Sequence, residues 1–307
     1  MKTLKLKTSL AGLGLGVAMV LGGCAVTGEV DATKSVEVEM QKVDMAANAA
    51  ALAAVLAAQP DEVQARYDAR NPAATIAFFG IEPGMTVAEA LPGGGWYSKI
   101  LMPYLGTEGT FAGAHYPDDL WSRFGFGEEW AANRVESTAK WPEQVTEWGV
   151  ENSPAVASYK LTEMPAELEG TMDAVLFIRA LHNLNRFNAD AGYMDDTLAE
   201  AFKALKPGGI VGVVQHRAPE ANGDDWASGA NGYLKQSAVI AAFESAGFEL
   251  VESSELNANA KDMPTEDDFV WRLPPGLNGT EEGSTERDAV VAIGESDRMT
   301  LKFKKPA

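Results

Sequence analysis

Cysteine is almost missing from this chain of 307 residues: Cys24 stands alone. With no second thiol, no disulfide can form within the chain, even if it is exported to an oxidising compartment. Histidine is nearly as scarce, with His115, His182 and His216 the only three. Basic residues are heavily outnumbered, 25 Lys and Arg against 44 Asp and Glu, for a formal charge of −19. That balance disfavours nucleic acid and anionic lipid surfaces as partners. Long apolar runs are lacking too. The stretch 10–21 is interrupted by glycine and too short to span a bilayer, and nothing after it reads as transmembrane. Internal repeats are also absent. What remains is 46% hydrophobic, enough to fill the core of one large α/β domain.

The N-terminus reads as a secretion signal. Lys2, Lys5 and Lys7 form a positive segment without acids, and the apolar stretch then ends in Leu21-Gly22-Gly23-Cys24. This ending resembles the lipobox of bacterial lipoproteins, in which the cysteine is lipidated and becomes the new N-terminus. The alternative is an ordinary signal peptide with an incidental cysteine. The lipobox resemblance implies an envelope protein attached to the membrane only through lipid on Cys24. Ala25 follows the cysteine where inner-membrane lipoproteins usually carry Asp, which points to the periplasmic face of the outer membrane. With the three signal lysines set aside, the formal charge becomes −22. The expected organisation is a signal peptide over 1–23, a polar tether over 24–45 and one domain over 46–307.

Within that domain, strand and helix patterns alternate, as in a parallel sheet covered on both faces. Helices are expected over 46–58 and 61–70. Strands are expected over 86–91, 109–114, 156–161, 174–178, 210–214, 248–252 and 299–303, the last two forming a C-terminal antiparallel hairpin. Helices fall at 96–105, 195–205 and 237–246, with Lys206-Pro207-Gly208-Gly209 as a helix stop. The fold class is therefore α/β, a Rossmann-like, mostly parallel sheet of seven strands. Two stretches break the rhythm. Residues 116–154, with Trp121, Trp130, Trp141 and Trp148, read as a cap over the strand ends, and 257–294 reads as a long loop.

The most informative segment is Glu89-Ala90-Leu91-Pro92-Gly93-Gly94-Gly95-Trp96-Tyr97-Ser98. Here a strand delivers the chain to a glycine turn and a helix N-terminus follows, an arrangement suited to close approach of a nucleotide-like ligand. Pro83-Gly84 precedes the first strand, Asp173 opens the fourth, Leu205-Lys206-Pro207-Gly208-Gly209 precedes the fifth and Ala246-Gly247-Phe248 the sixth. In this order and spacing, from about residue 60 onward, the chain resembles class I S-adenosylmethionine-dependent methyltransferases. The glycine turn, Arg179-Ala180-Leu181-His182-Asn183, Val270-Trp271-Arg272-Leu273-Pro274-Pro275 and Asp297-Arg298-Met299-Thr300-Leu301-Lys302 resemble, more narrowly, a group of bacterial predicted methyltransferases that are often exported. The resemblance implies S-adenosylmethionine as cofactor and a small-molecule acceptor. It also implies that Glu89, Gly93, Gly94 and Gly95 hold the cofactor. Leu91 and Pro92 replace a glycine and a small residue, which stiffens the turn. His115 stands where the family places an acid on the ribose, and a neutral imidazole accepts one hydrogen bond, not two. Near the adenine position only Lys160 and Glu163 are found.

All three histidines are expected at C-terminal strand ends, the rim on which open α/β sheets bind ligands. His182 and His216 are candidate bases facing each other, with Asn183 and Gln215 positioning the substrate and Arg179 suited equally to binding a carboxylate or to pairing with one of the many surface acids. Two other roles fit such histidines: satisfying loop backbone, or binding a metal together with Glu89 or Asp173. The tryptophans suit core packing as well as substrate stacking. Two functions follow, a methyltransferase or a methyltransferase fold that binds another ligand or an envelope partner without catalysis. A metal-assisted hydrolase is a third.

Overall fold

The computed structural model describes residues 32–307, with side chains from Met45 onward; the expected signal peptide and Cys24 lie outside the described residues. Helix α1 runs Ala32–Ala57, so the helix expected from 46 reaches back into the segment read as a tether. The α/β body is Met45–Ala307. The helix expected over 61–70 is instead two single turns, α2 (Asp61–Gln64) and α3 (Tyr67–Arg70), followed by α4 (Pro72–Phe79). Asn71 sits in the left-handed region at φ 42°, which ends α3, and Pro72 then opens α4, where a missing N–H costs nothing.

From there the chain follows the alternating pattern: β1 (Thr86–Ala90), α5 (Ser98–Leu105) and β2 (Thr110–His115). The expected cap consists of three helices, α6 (Asp118–Ser122), α7 (Glu128–Ala139) and α8 (Trp141–Glu147), and leads into β3 (Ala155–Lys160). Next come β4 (Met172–Ile178), α9 (Leu181–Arg186), α10 (Asn188–Ala191), α11 (Tyr193–Ala204) and β5 (Leu205–Ala218). The chain closes with β6 (Leu234–Lys235), α12 (Gln236–Ser245), β7 (Glu249–Ser254), α13 (Thr285–Ile293) and β8 (Arg298–Lys304).

The sheet has eight strands, not the seven expected, in the order β3-β2-β1-β4-β5-β8-β7 with β6 paired to β5. The extra strand is the two-residue β6, too short to leave a periodicity in the sequence. Only β8 is antiparallel to its neighbours. It pairs with β7 as expected, but residues 255–297 separate the two in place of a tight turn. Lys206-Pro207-Gly208-Gly209 lies inside β5 and is not merely a helix stop. Met172 pairs with Leu205 and Ala174 with Ile210, so the four residues bulge out of the ladder.

Side-chain alternation divides the core into two faces. Val87, Phe111, Leu176 and Val214 meet Leu52 and Leu56 of α1, Phe79 of α4, Ile100 of α5 and Trp141 of α8. Ala88, Ala112, Val175 and Val213 meet Leu198 of α11 and Phe243 of α12 on the other face. Burial on both faces is what a parallel sheet requires. Gly113 of β2 makes room for Trp141, since a Cβ there would lie 2.6 Å from the indole. Gly113→Ala should cost about 1–3 kcal/mol in chemical denaturation, because a packed ring has little freedom to move. Stability equal to the parent would mean that Trp141 does not seat on this strand.

Candidate functional site

The strand order reverses between β1 and β4, and open α/β sheets bind ligands beside the C-terminal ends of strands at that reversal. Both strands leave the sheet there through a strained residue. Leu91, one residue past β1, has φ 53° and donates its N–H to Ala114 O at 2.6 Å. Arg179, one residue past β4, has φ 59° and donates its N–H to Val214 O at 2.7 Å. Left-handed backbone at residues with a Cβ costs roughly 1–2 kcal/mol each, and such strain concentrates at functional sites.

Glu89 is buried under α5 and accepts a hydrogen bond from Ser98 Oγ at 2.6 Å. Burial pushes its carboxyl up to about 7, against the opposing pull of Ser98 and the Arg179 charge. In the turn, Gly94 faces open space and Gly93 meets nothing nearer than Leu91 O at 3.8 Å. Gly95 is different: a Cβ there would stand 2.2 Å from the Trp148 ring. Trp148 in turn packs edge-on against Trp141, with ring centroids 6.2 Å apart. Trp141 lies 5.1 Å from the His115 ring. His115 ends β2 as expected, but its Nε2 is buried without a partner, and burial lowers its pKa to about 4. Lys160, which the resemblance sets near an adenine, is paired with Asp118. The glycine turn beside Glu89 is thus open at Gly93 and Gly94, whereas the two indoles cover Gly95 and His115.

His182 and His216 do face each other, with ring centroids 5.8 Å apart. Gln215 Nε2 lies 3.4 Å from His182 Nδ1 and donates to Gly232 O at 3.0 Å. Ser296 Oγ holds His216 Nδ1 at 2.6 Å. Trp271 packs edge-on against His182 at 5.8 Å. Burial lowers the His182 pKa to about 4, and that of His216 falls well below its ordinary value through burial and the nearby His182 charge. Both rings are therefore neutral at pH 7 and weak as bases, better suited to hydrogen bonding than to removing a proton from a poor acid. Asn183 is turned toward Tyr116, with Nδ2 3.5 Å from the phenol oxygen, and its buried Oδ1 has no partner.

Asp173 lies at the opposite end of β4, accepting from Thr86 N at 2.8 Å and pairing with Lys206. It is far from the rim for the simple reason that it begins the strand. Among the described residues no three His, Cys, Asp or Glu side chains gather as a metal site would require.

Sequence reasoning missed the cationic side of the rim. Arg298 begins the antiparallel β8 directly opposite His216. Arg66 and Arg70 arrive from α3 and the residue before it. Arg66 Nε meets Glu295 Oε1 at 2.8 Å, and Arg70 and Arg298 each approach Glu295 Oε2 at 3.4 Å. Arg70 also lies over Trp96, its guanidinium carbon 4.5 Å from the ring centroid. Burial first, then the Arg179 charge, brings Arg70 down to about 9. Arg298 sits in a motif already singled out, but nothing in the sequence links it to residues more than 200 positions away.

No family model matches the chain. Among solved structures, the 4+2 cyclase SpnF superposes with a TM-score of 0.50 at 16% identity, over 78% of this chain and 80% of its own. That likeness establishes a shared fold. A SAM-dependent methyltransferase from Aquifex aeolicus is 19% identical over 64% of this chain and 92% of its own, at a TM-score of 0.44. Geranyl diphosphate C-methyltransferase from Streptomyces coelicolor is 11% identical over 77% of each chain, at 0.46. The chain thus has a Rossmann-like fold of the open α/β class, with its antiparallel strand next to β5.

The buried histidines make stability depend on pH. His115 and His182 take up a proton near 6.5 when unfolded but only near 4 when folded, so stability present above 6.5 is lost as pH falls toward 4. His216 acts in the same sense. Glu89, raised from 4.5 to about 7, opposes them, gaining stability as pH falls through that interval. Three groups outweigh one, so unfolding midpoints should drop between pH 7 and 5. In His115→Gln the drop should be smaller by about 1–2 kcal/mol. An identical drop in that variant would contradict the burial of His115.

Proposed function

We propose that this chain is an S-adenosylmethionine-dependent methyltransferase acting on a small-molecule acceptor held at the C-terminal rim of the sheet. The observation that carries the reading is the glycine turn at the point of strand-order reversal, open at Gly93 and Gly94 and backed by the Glu89–Ser98 pair. The family-like motifs around the turn support it. S-adenosylmethionine, when bound, supplies a methyl group made electrophilic by the sulfonium.

The chain's own residues do the rest. Glu89 and the turn orient the donor, and His115 serves the ribose once Trp141 and Trp148 have turned aside. His182 and His216, with Gln215 and Asn183, line the acceptor side. Methyl transfer needs mainly alignment of donor and nucleophile, which neutral imidazoles held by Ser296 and Gln215 provide. The lipobox-like ending at Cys24 supports lipid attachment and an envelope location, with the membrane reached only through the anchor.

A second reading is favoured by the two indoles. If Trp141 and Trp148 occupy the ribose half permanently, the domain is a retired methyltransferase fold that serves another ligand or an envelope partner. Lipid attachment at Cys24 would favour the same reading, because S-adenosylmethionine is made in the cytosol. Fold alone does not choose between them.

Calorimetric titration with S-adenosylhomocysteine separates the two. Methyl transfer predicts micromolar binding, at least tenfold weaker in Glu89→Ala and tighter in Trp148→Ala, which uncovers Gly95. Absence of binding at millimolar ligand in both the parent and Trp148→Ala would sink this function and leave the second reading.

A further inference from the structure

The chain has acids to spare, yet at the rim three arginines share one carboxylate, with a fourth, Arg179, close by. Arg66, Arg70 and Arg298 all turn to Glu295. Arg298 is further tied to Ser296 O at 3.2 Å and to Ala69 O. Arg179 makes no hydrogen bond or ion pair with Glu295 and feels only its charge at a distance. Among the described residues it is the only arginine whose guanidinium has no hydrogen bond, no ion pair and no aromatic face. Elsewhere the pattern is the opposite. Arg217 is paired with Glu255 and Asp297, Arg272 with Asp262 and Asp268, and Arg134 and Arg186 lie over aromatic rings.

Arg179 is also not a free surface cation. It is only partly exposed, and its backbone is held at φ 59° by the bond to Val214 O. It follows β4 directly, its N–H bonds Val214 two residues before His216, and Arg298 stands opposite His216 on β8, so it lies at the rim beside the histidine pair. A partly buried guanidinium among like charges is unfavourable unless an anion completes it. Its planar fork matches the two oxygens of a carboxylate or phosphate.

We propose that Arg179, flanked by Arg70 and Arg298, forms an oxyanion subsite that holds a carboxylate or phosphate group of the acceptor molecule beside His182 and His216. The acceptor is thereby assigned to anionic small molecules, despite the strongly negative charge of the chain. The subsite itself stands without the methyl-transfer reading; only the word acceptor rests on it.

The probe is inorganic phosphate, titrated into the full chain at constant ionic strength and followed by Trp fluorescence, for which Trp96 beneath Arg70 is the reporter, and by thermal shift. Saturable binding is expected in the parent, weakened at least tenfold in Arg179→Gln and within twofold of the parent in Arg134→Gln. Ligand-free Arg179→Gln should melt no lower than the parent, since the variant removes an unpaired charge. Repeating the titration with saturating S-adenosylhomocysteine distinguishes the donor's own carboxylate from the acceptor. Unchanged phosphate affinity supports the assignment, and mutual exclusion overturns it. Phosphate binding equal in Arg179→Gln and parent, or none in the parent, also overturns it. If S-adenosylhomocysteine binds neither the parent nor Trp148→Ala, the methyl-transfer reading falls while the phosphate titration still decides the subsite.

Discussion

The carboxylate of Glu295 joins parts of the chain that the sheet alone does not hold together. It receives Arg66 and Arg70 from the N-terminal turns and Arg298 from the start of β8, and the residue after it, Ser296, fixes His216. Arg70 and Arg298 are each 3% exposed, so their charges have little water to fall back on. Ion pairs of this kind contribute little net stability when formed, but removing one member leaves the others stranded. The contact of α3 and the residue before it with the start of β8 runs through that one group.

Around it the rim divides into two halves of different character. On the β1 and β2 side the glycine turn is partly open, yet Trp148 covers Gly95 and Trp141 covers His115. On the β4, β5 and β8 side there are two neutral imidazoles, an unpaired guanidinium and its paired neighbours. The first half is open at Gly93 and Gly94 and closed by indoles at Gly95 and His115. The second is already arranged for an anionic molecule. Strain at Leu91 and Arg179 marks the boundary between the halves, where each strand is turned sharply by a residue that tolerates such a turn poorly.

Much of the fold was legible because the signals are local. Alternating apolar residues placed β1, β2, β4 and β8 within a few residues, and the glycine turn announced the crossing from β1 to α5. Lys206-Pro207-Gly208-Gly209 does follow the end of α11, but that the same residues bulge from β5 leaves no separate signal, because proline and glycine mark both. The two-residue β6 has no pattern to read. At the site, Glu89, the glycines and the facing histidines follow from strand ends, which local sequence reveals. The Arg66–Arg70–Glu295–Arg298 group does not, because it depends on α3 folding over a strand that begins 228 positions after Arg70. Burial was equally invisible: the sequence suggested His182 and His216 as bases, and only the packing shows that both are driven neutral.

The most direct measurement is the unfolding free energy of Glu295→Gln, a change of charge with almost no change of shape. If one carboxylate holds the rim together, the variant should lose about 3 kcal/mol or more, as when a buried ion pair is broken from one side. Stability within a few tenths of a kcal/mol of the parent would show that the arginines are satisfied without Glu295 and that the rim does not hang on its charge.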